Sequence, residues 1–88
     1  MESYKFIISG KVQGVSYRAY VYSNASSKYN GYVKNLSSGD VEASVMCDKK
    51  DLDQFIDILK KGSPNSRVDN IKQIQIDDIF INGFEIRS

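Results

Sequence analysis

The chain has no histidine. That removes the usual general base near neutral pH, phosphohistidine chemistry and most zinc sites. Its one cysteine, Cys47, excludes an internal disulfide, leaves a single thiol nucleophile and fits a reducing compartment. A formal charge of only +1 supplies no strong field to recruit nucleic acid or a membrane surface. Long apolar runs are missing too, so neither a signal peptide nor a membrane span is expected, and the cytoplasm is the default location. What is there is ordinary for a small globular chain: 88 residues, 41% apolar and 26% charged, enough for one domain (1–88) with one core. Any catalysis must rest mainly on positioning and fixed charge.

One stretch has the makings of a site. Gly10 to Arg18 reads Gly-Lys-Val-Gln-Gly-Val-Ser-Tyr-Arg, between an alternating apolar run and a helix-like stripe. A glycine-containing loop from a strand into a helix start brings free main-chain N–H groups and the positive end of a helix dipole to one point. Arg18, at the helix end of the loop, can close such a cradle with a planar pair of hydrogen bonds. The reading is a phosphate or carboxylate site. Its spacing is neither the dinucleotide fingerprint nor the Walker P-loop, which need further glycines or a Gly-Lys-Ser/Thr ending.

Tyr4 to Val12 alternates, with Tyr4, Phe6 and Ile8 on one face, and predicts a strand with one buried side. Tyr17, Val21, Ala25 and Tyr29 recur at helical spacing, and Asn30-Gly31 is expected to end that helix. Gly31 to Leu36 and Val41 to Cys47 read as a hairpin around the Ser37-Ser38-Gly39-Asp40 turn. Asp48 is positioned to cap a second helix carrying Leu52, Phe55, Ile56 and Leu59, with Lys60 and Lys61 in its last turn and Gly62 and Pro64 as its stop. Asn65 to Asn70 reads as a polar linker. Ile71, Ile74 and Ile76 mark another strand, and Phe84 to Arg87 a short one after the Asn82-Gly83 turn. This order predicts an α+β fold: a ferredoxin-like βαββαβ sandwich, with two helices on one face of an antiparallel sheet.

The residues resemble the acylphosphatase family. Its first motif is matched by Ile8, Gly10, Val12-Gln13-Gly14-Val15 and Arg18, and its second by Gly31-Tyr32-Val33-Lys34-Asn35 with Gly39 and Val41. The terminal Phe84-Glu85-Ile86-Arg87 is similar as well, so the resemblance covers nearly the whole chain. It implies hydrolysis of acyl phosphates to a carboxylate and inorganic phosphate, with no metal or organic cofactor. It implies that Arg18 binds the phosphoryl group together with the main-chain amides of Gln13, Gly14, Val15, Ser16, Tyr17 and Arg18, and that Asn35 holds the attacking water. A monomer acting on a small molecule is the implied form, with no nucleic-acid or membrane partner. Five departures from the family pattern stand out: Tyr17 for phenylalanine, Tyr32 for tryptophan, Ser38 before Gly39 for aspartate, Asn30 where a glycine or other small residue often precedes Gly31, and Cys47 for glycine.

Other readings are weaker. The tyrosines fit a core stripe better than base stacking, and no strand carries the aromatic signature of RNA-binding sheets. Cys47 alternates with core valines as a buried thiol. Asp77-Asp78, on opposite faces of a strand, suits a solvated end better than a metal site. A non-catalytic anion-binding module on the same fold is the alternative function. A third reading, a carbamoyl-phosphate-handling domain of a larger maturation enzyme, is disfavoured by the free-standing length.

Overall fold

A computed structural model describes residues 1–88. The first strand, β1 (Glu2–Lys11), passes through the Gly14 loop into helix α1 (Tyr17–Ala25). A hairpin follows, β2 (Asn30–Asn35) and β3 (Val41–Cys47), then helix α2 (Lys49–Lys61), β4 (Arg67–Ile76) and β5 (Phe84–Arg87). The strands form one sheet in the order β4-β1-β3-β2-β5.

The alternation read in β1 decides the layering. Tyr4, Phe6 and Ile8 are buried, and opposite them β3 contributes Val41, Ala43, Val45 and Cys47. Val21 and Ala25 of α1 and Leu52, Phe55 and Leu59 of α2 join this same cluster, so both helices cover one face of the sheet. Phe55 sits at its centre, with its ring 5.7 Å from Phe6, 5.1 Å from Tyr29 and 6.1 Å from Phe84. Cys47 is buried in the core as expected, and that burial pushes its thiol pKa up.

The ferredoxin-like core is antiparallel throughout, and β5 adds one parallel pair to it, Val33 opposite Ile86. Parallel pairing follows from connectivity. β4 and β5 lie at opposite edges, so residues 77–83 must cross the sheet between them. Three contacts pin the crossing: Ser3 Oγ donates to the Asp78 carbonyl, the Phe80 ring meets Tyr32 edge-on, and the Gly31 amide donates to the Gly83 carbonyl at 3.0 Å.

Two boundaries differ from the periodicity. α1 stops at Ala25, not at Asn30-Gly31, although the stripe continues to Tyr29. Tyr29 is buried from a turn, its hydroxyl donating to the Asp51 carbonyl at 2.8 Å. Asn30-Gly31 instead opens β2, where Gly31 is required by close approach: a Cβ there would lie 1.9 Å from the Ser44 carbonyl oxygen. Residues 67–70 are strand and not linker, paired with β1 across an irregularity at Ser9/Gly10. Their polarity reflects an edge strand exposed along most of its length.

Candidate active site

The loop from β1 into α1 is held open by two left-handed residues. Gly14 has φ 74° and nothing near its Cβ direction, so conformation, not space, calls for glycine. Ser16 is the one non-glycine residue with positive φ, at φ 61° and ψ 27°. It occupies the N-cap of α1 and is a residue type that caps well. A capping serine needs extended angles to reach back to the first-turn amides, and in the left-handed region its hydroxyl makes no cap bond. The strain, of order 1–3 kcal/mol, keeps those donors free.

The consequence shows in the hydrogen bonding. No main-chain N–H from Gln13 to Ala19 donates to an acceptor within the chain; the first that does is Tyr20, to the Ser16 carbonyl at 3.0 Å. Unpaired donors at a helix start, with the positive end of the dipole behind them, suit an anion. No acid lies in the first turn of α1 to occupy them.

Beside this loop lies an open cavity of about 330 Å³. Gly14, Ser16, Tyr17 and Arg18 line it from the loop and helix, and Asn35 lines it from the end of β2. The structure thus brings the two sequence motifs together. Gln13 and Val15 do not line the cavity. Val15 packs against the core, and its carbonyl accepts from Ser63 Oγ at 2.8 Å. Gln13 Nε2 donates to the Leu36 and Asp40 carbonyls at 2.7 and 2.8 Å. Its side chain therefore clamps the loop to the hairpin turn next to Asn35, a part the motif alone did not reveal.

Arg18 is half-buried, and its Nη1 donates to the Arg87 carbonyl at 3.0 Å. β5 therefore orients the guanidinium and leaves its other donors available. Arg87 is itself fixed, its guanidinium 4.0 Å above the Tyr32 ring and its Nε 2.7 Å from Glu85 Oε1. Tyr32 in turn donates to Glu42 Oε2 at 2.6 Å, and burial, with that bond, pushes its hydroxyl pKa up. A chain of contacts thus runs from the open face of the sheet to Arg18.

Asn35 Oδ1 is buried and has no hydrogen-bond partner within the protein. A buried, unpaired acceptor costs about 1–3 kcal/mol, and Asn35 carries it in a residue that lines the cavity. Tyr17 answers the question raised by its hydroxyl. The ring is buried, the hydroxyl donates to the Leu59 carbonyl at 2.8 Å, and burial pushes its pKa far up. It is a core anchor that ties α1 to α2 and supplies only backbone to the loop. Sequence reasoning missed Val12, Ala19 and Ile86, which complete the cavity wall.

A family model described as Acylphosphatase matches residues 4–86. An acylphosphatase of Methanocella arvoryzae is 36% identical over 88 residues, 99% of this chain and 100% of that one. The crystal structure of acylphosphatase from Bacillus subtilis aligns with a TM-score of 0.92 and 33% identity, over 100% of both chains. HypF from T. kodakarensis is also similar, with a TM-score of 0.85 and 33% identity, but 100% of this chain matches only 12% of that one. A match along nearly its full length, in sequence and in backbone, leaves one conclusion: the chain belongs to the acylphosphatase family.

Proposed function

We propose that the chain hydrolyses the carboxyl–phosphate bond of acyl phosphates, using the cavity between the Gly14 loop and Asn35. One observation supports the mechanism: Gly14, Ser16, Tyr17, Arg18 and Ala19, whose amides are unpaired, line that cavity together with Asn35, whose buried Oδ1 has no partner in the protein. The phosphoryl oxygens accept from the amides and from Arg18, which counter the charge spread over them in the transition state. Asn35 Oδ1 accepts a hydrogen bond from water and leaves an oxygen lone pair to attack phosphorus.

The atoms balance without a titrating side chain. A bond forms from the water oxygen to phosphorus, the bond from phosphorus to the acyl oxygen breaks, and the electron pair leaves with the carboxylate. Both water protons depart on the product dihydrogen phosphate. Because a carboxylate is a good leaving group, no general acid is required, which suits a site without histidine. An alkyl phosphate monoester must expel an alkoxide, which needs a proton that no side chain here is placed to give.

The working form in this reading is a cytoplasmic monomer, consistent with one buried thiol and a formal charge of +1. No helix is long and apolar enough to cross a membrane. The test is hydrolysis of benzoyl phosphate with and without EDTA, beside glycerol 3-phosphate, an alkyl monoester. Rapid, chelator-insensitive turnover of the first and little of the second is expected. Folded protein that binds phosphate without turnover would instead identify an anion-binding module.

A further inference from the structure

The cavity wall also carries exposed apolar side chains beside the groups that would hold the phosphate. The cavity volume of about 330 Å³ lies within the range of pockets that enclose small organic molecules. Arg18 is the one charged residue on its wall; of the apolar members, Val12 and Tyr17 are buried in the core, which leaves Ala19 and Ile86 to offer exposed apolar side chains. Ile86 is the informative member. It shares a strand face with Phe84, which is buried in the core, yet Ile86 is 45% exposed. Its main-chain neighbour Arg87 presents the carbonyl that accepts from Arg18. Ile86 is therefore held at a set distance from the guanidinium, with apolar surface turned to the cavity and not to the core.

We infer that Ile86 is a specificity-determining residue, forming the wall against which a neutral, apolar acyl group packs. The inference rests on the hydrolytic reading above and adds to it the class of leaving group. A second carboxylate on the acyl group would find no second cation on this wall, and an acetyl group would be too short to exchange much water-exposed surface for contact with Ile86. A ring or branched chain would bury its own apolar surface and that of Ile86 together. Because the carboxylate leaves with this group, the contact acts on selection among acyl phosphates and not on recognition of the phosphate.

The experiment compares kcat/KM for benzoyl phosphate and acetyl phosphate in the wild type, Ile86→Ser and Ile86→Leu, with inhibition by inorganic phosphate in each. The wild type is expected to favour benzoyl phosphate. Ile86→Ser should lower the benzoyl-to-acetyl ratio about tenfold, the low end of what apolar contacts contribute to discrimination. Ile86→Leu should restore most of the ratio, and phosphate inhibition should stay close to the wild-type value. Equal losses on both substrates in Ile86→Ser would overturn the inference and reduce Ile86 to a support for β5, as would an unchanged ratio. A wild type that hydrolyses neither substrate would overturn the hydrolytic reading itself, a result distinct from either.

Discussion

The two helices start in opposite ways. α2 begins after Asp48, whose angles are extended (φ −68°, ψ 149°), and carries Asp51 in its first turn and Lys60 and Lys61 in its last. Lys60 and Lys61 offset the C-terminal end of its dipole, and Asp48 and Asp51 face the N-terminal end beside Lys49 and Lys50, although the Asp48 side chain makes no cap bond. α1 begins after a left-handed Ser16, with no acid in its first turn and no base in its last. Both pack against the same sheet, so tertiary burial stabilises both. The difference is that α2 has acids at its start and bases at its end, whereas α1 has neither and leaves its first amides open to an anion. A helix start that would be a defect in a structural element is what equips α1 for chemistry.

That contrast can be broken at several points. The largest effect is expected from Arg18→Ala, which removes charge and hydrogen bonds from the transition state. Turnover should fall by at least ~10²–10³ and substrate affinity should drop with it, as steady-state kinetics on benzoyl phosphate would show. Next comes Asn35→Ala, which should lose on the order of 10² in kcat through poor water alignment while inhibition by phosphate persists. Relief of the unpaired buried Oδ1 should leave its thermal stability equal to the wild type or higher. Full turnover in a folded Asn35→Ala protein would remove its assigned role.

Smaller effects sharpen the comparison. Ala19→Glu gives α1 the first-turn acid that α2 already has, at an exposed position on the cavity wall. It should raise KM and weaken phosphate inhibition about tenfold, while adding about 0.3–1 kcal/mol to stability measured by urea denaturation at low salt. The converse change, Asp51→Asn, weakens the start of α2 and its ion pair with Lys28, 3.4 Å away. About 0.5 kcal/mol of stability should be lost in the same assay, with kcat and KM unchanged. A variant of α2 that altered catalysis as much as Ala19→Glu would erase the distinction between the helices.

What the sequence made legible follows the same division. α2 was plain because its stripe, acids, lysines and Gly62 all agree. The α1 stripe was read too far, since spacing reports burial and Tyr29 is buried from outside the helix. Arg67 to Asn70 looked like linker because an edge strand needs few apolar residues. The parallel pairing of β5 depends on which edge the chain reaches, a long-range fact that no local pattern encodes. At the site, Arg18 and Gly14 are legible in the strand-to-helix loop and Asn35 only through the family resemblance, and the structure brings them to one cavity. The left-handed Ser16, the Gln13 clamp and the Ile86 wall were not legible. Each depends on a backbone angle or on partners more than 20 residues away, such as Gln13 with Leu36.

Phosphate binding in this fold depends on one property, the availability of the α1 amides to an anion. Phosphate titration of the folded protein, followed by amide ¹⁵N–¹H NMR, tests it directly. The account predicts saturable shifts concentrated on Gln13 to Ala19 and on the Asn35 side-chain amide, with Lys49, Lys50 and Asp51 at the start of α2 unmoved. Equal shifts at both helix starts, or an undisturbed Gln13–Ala19 loop, would contradict it.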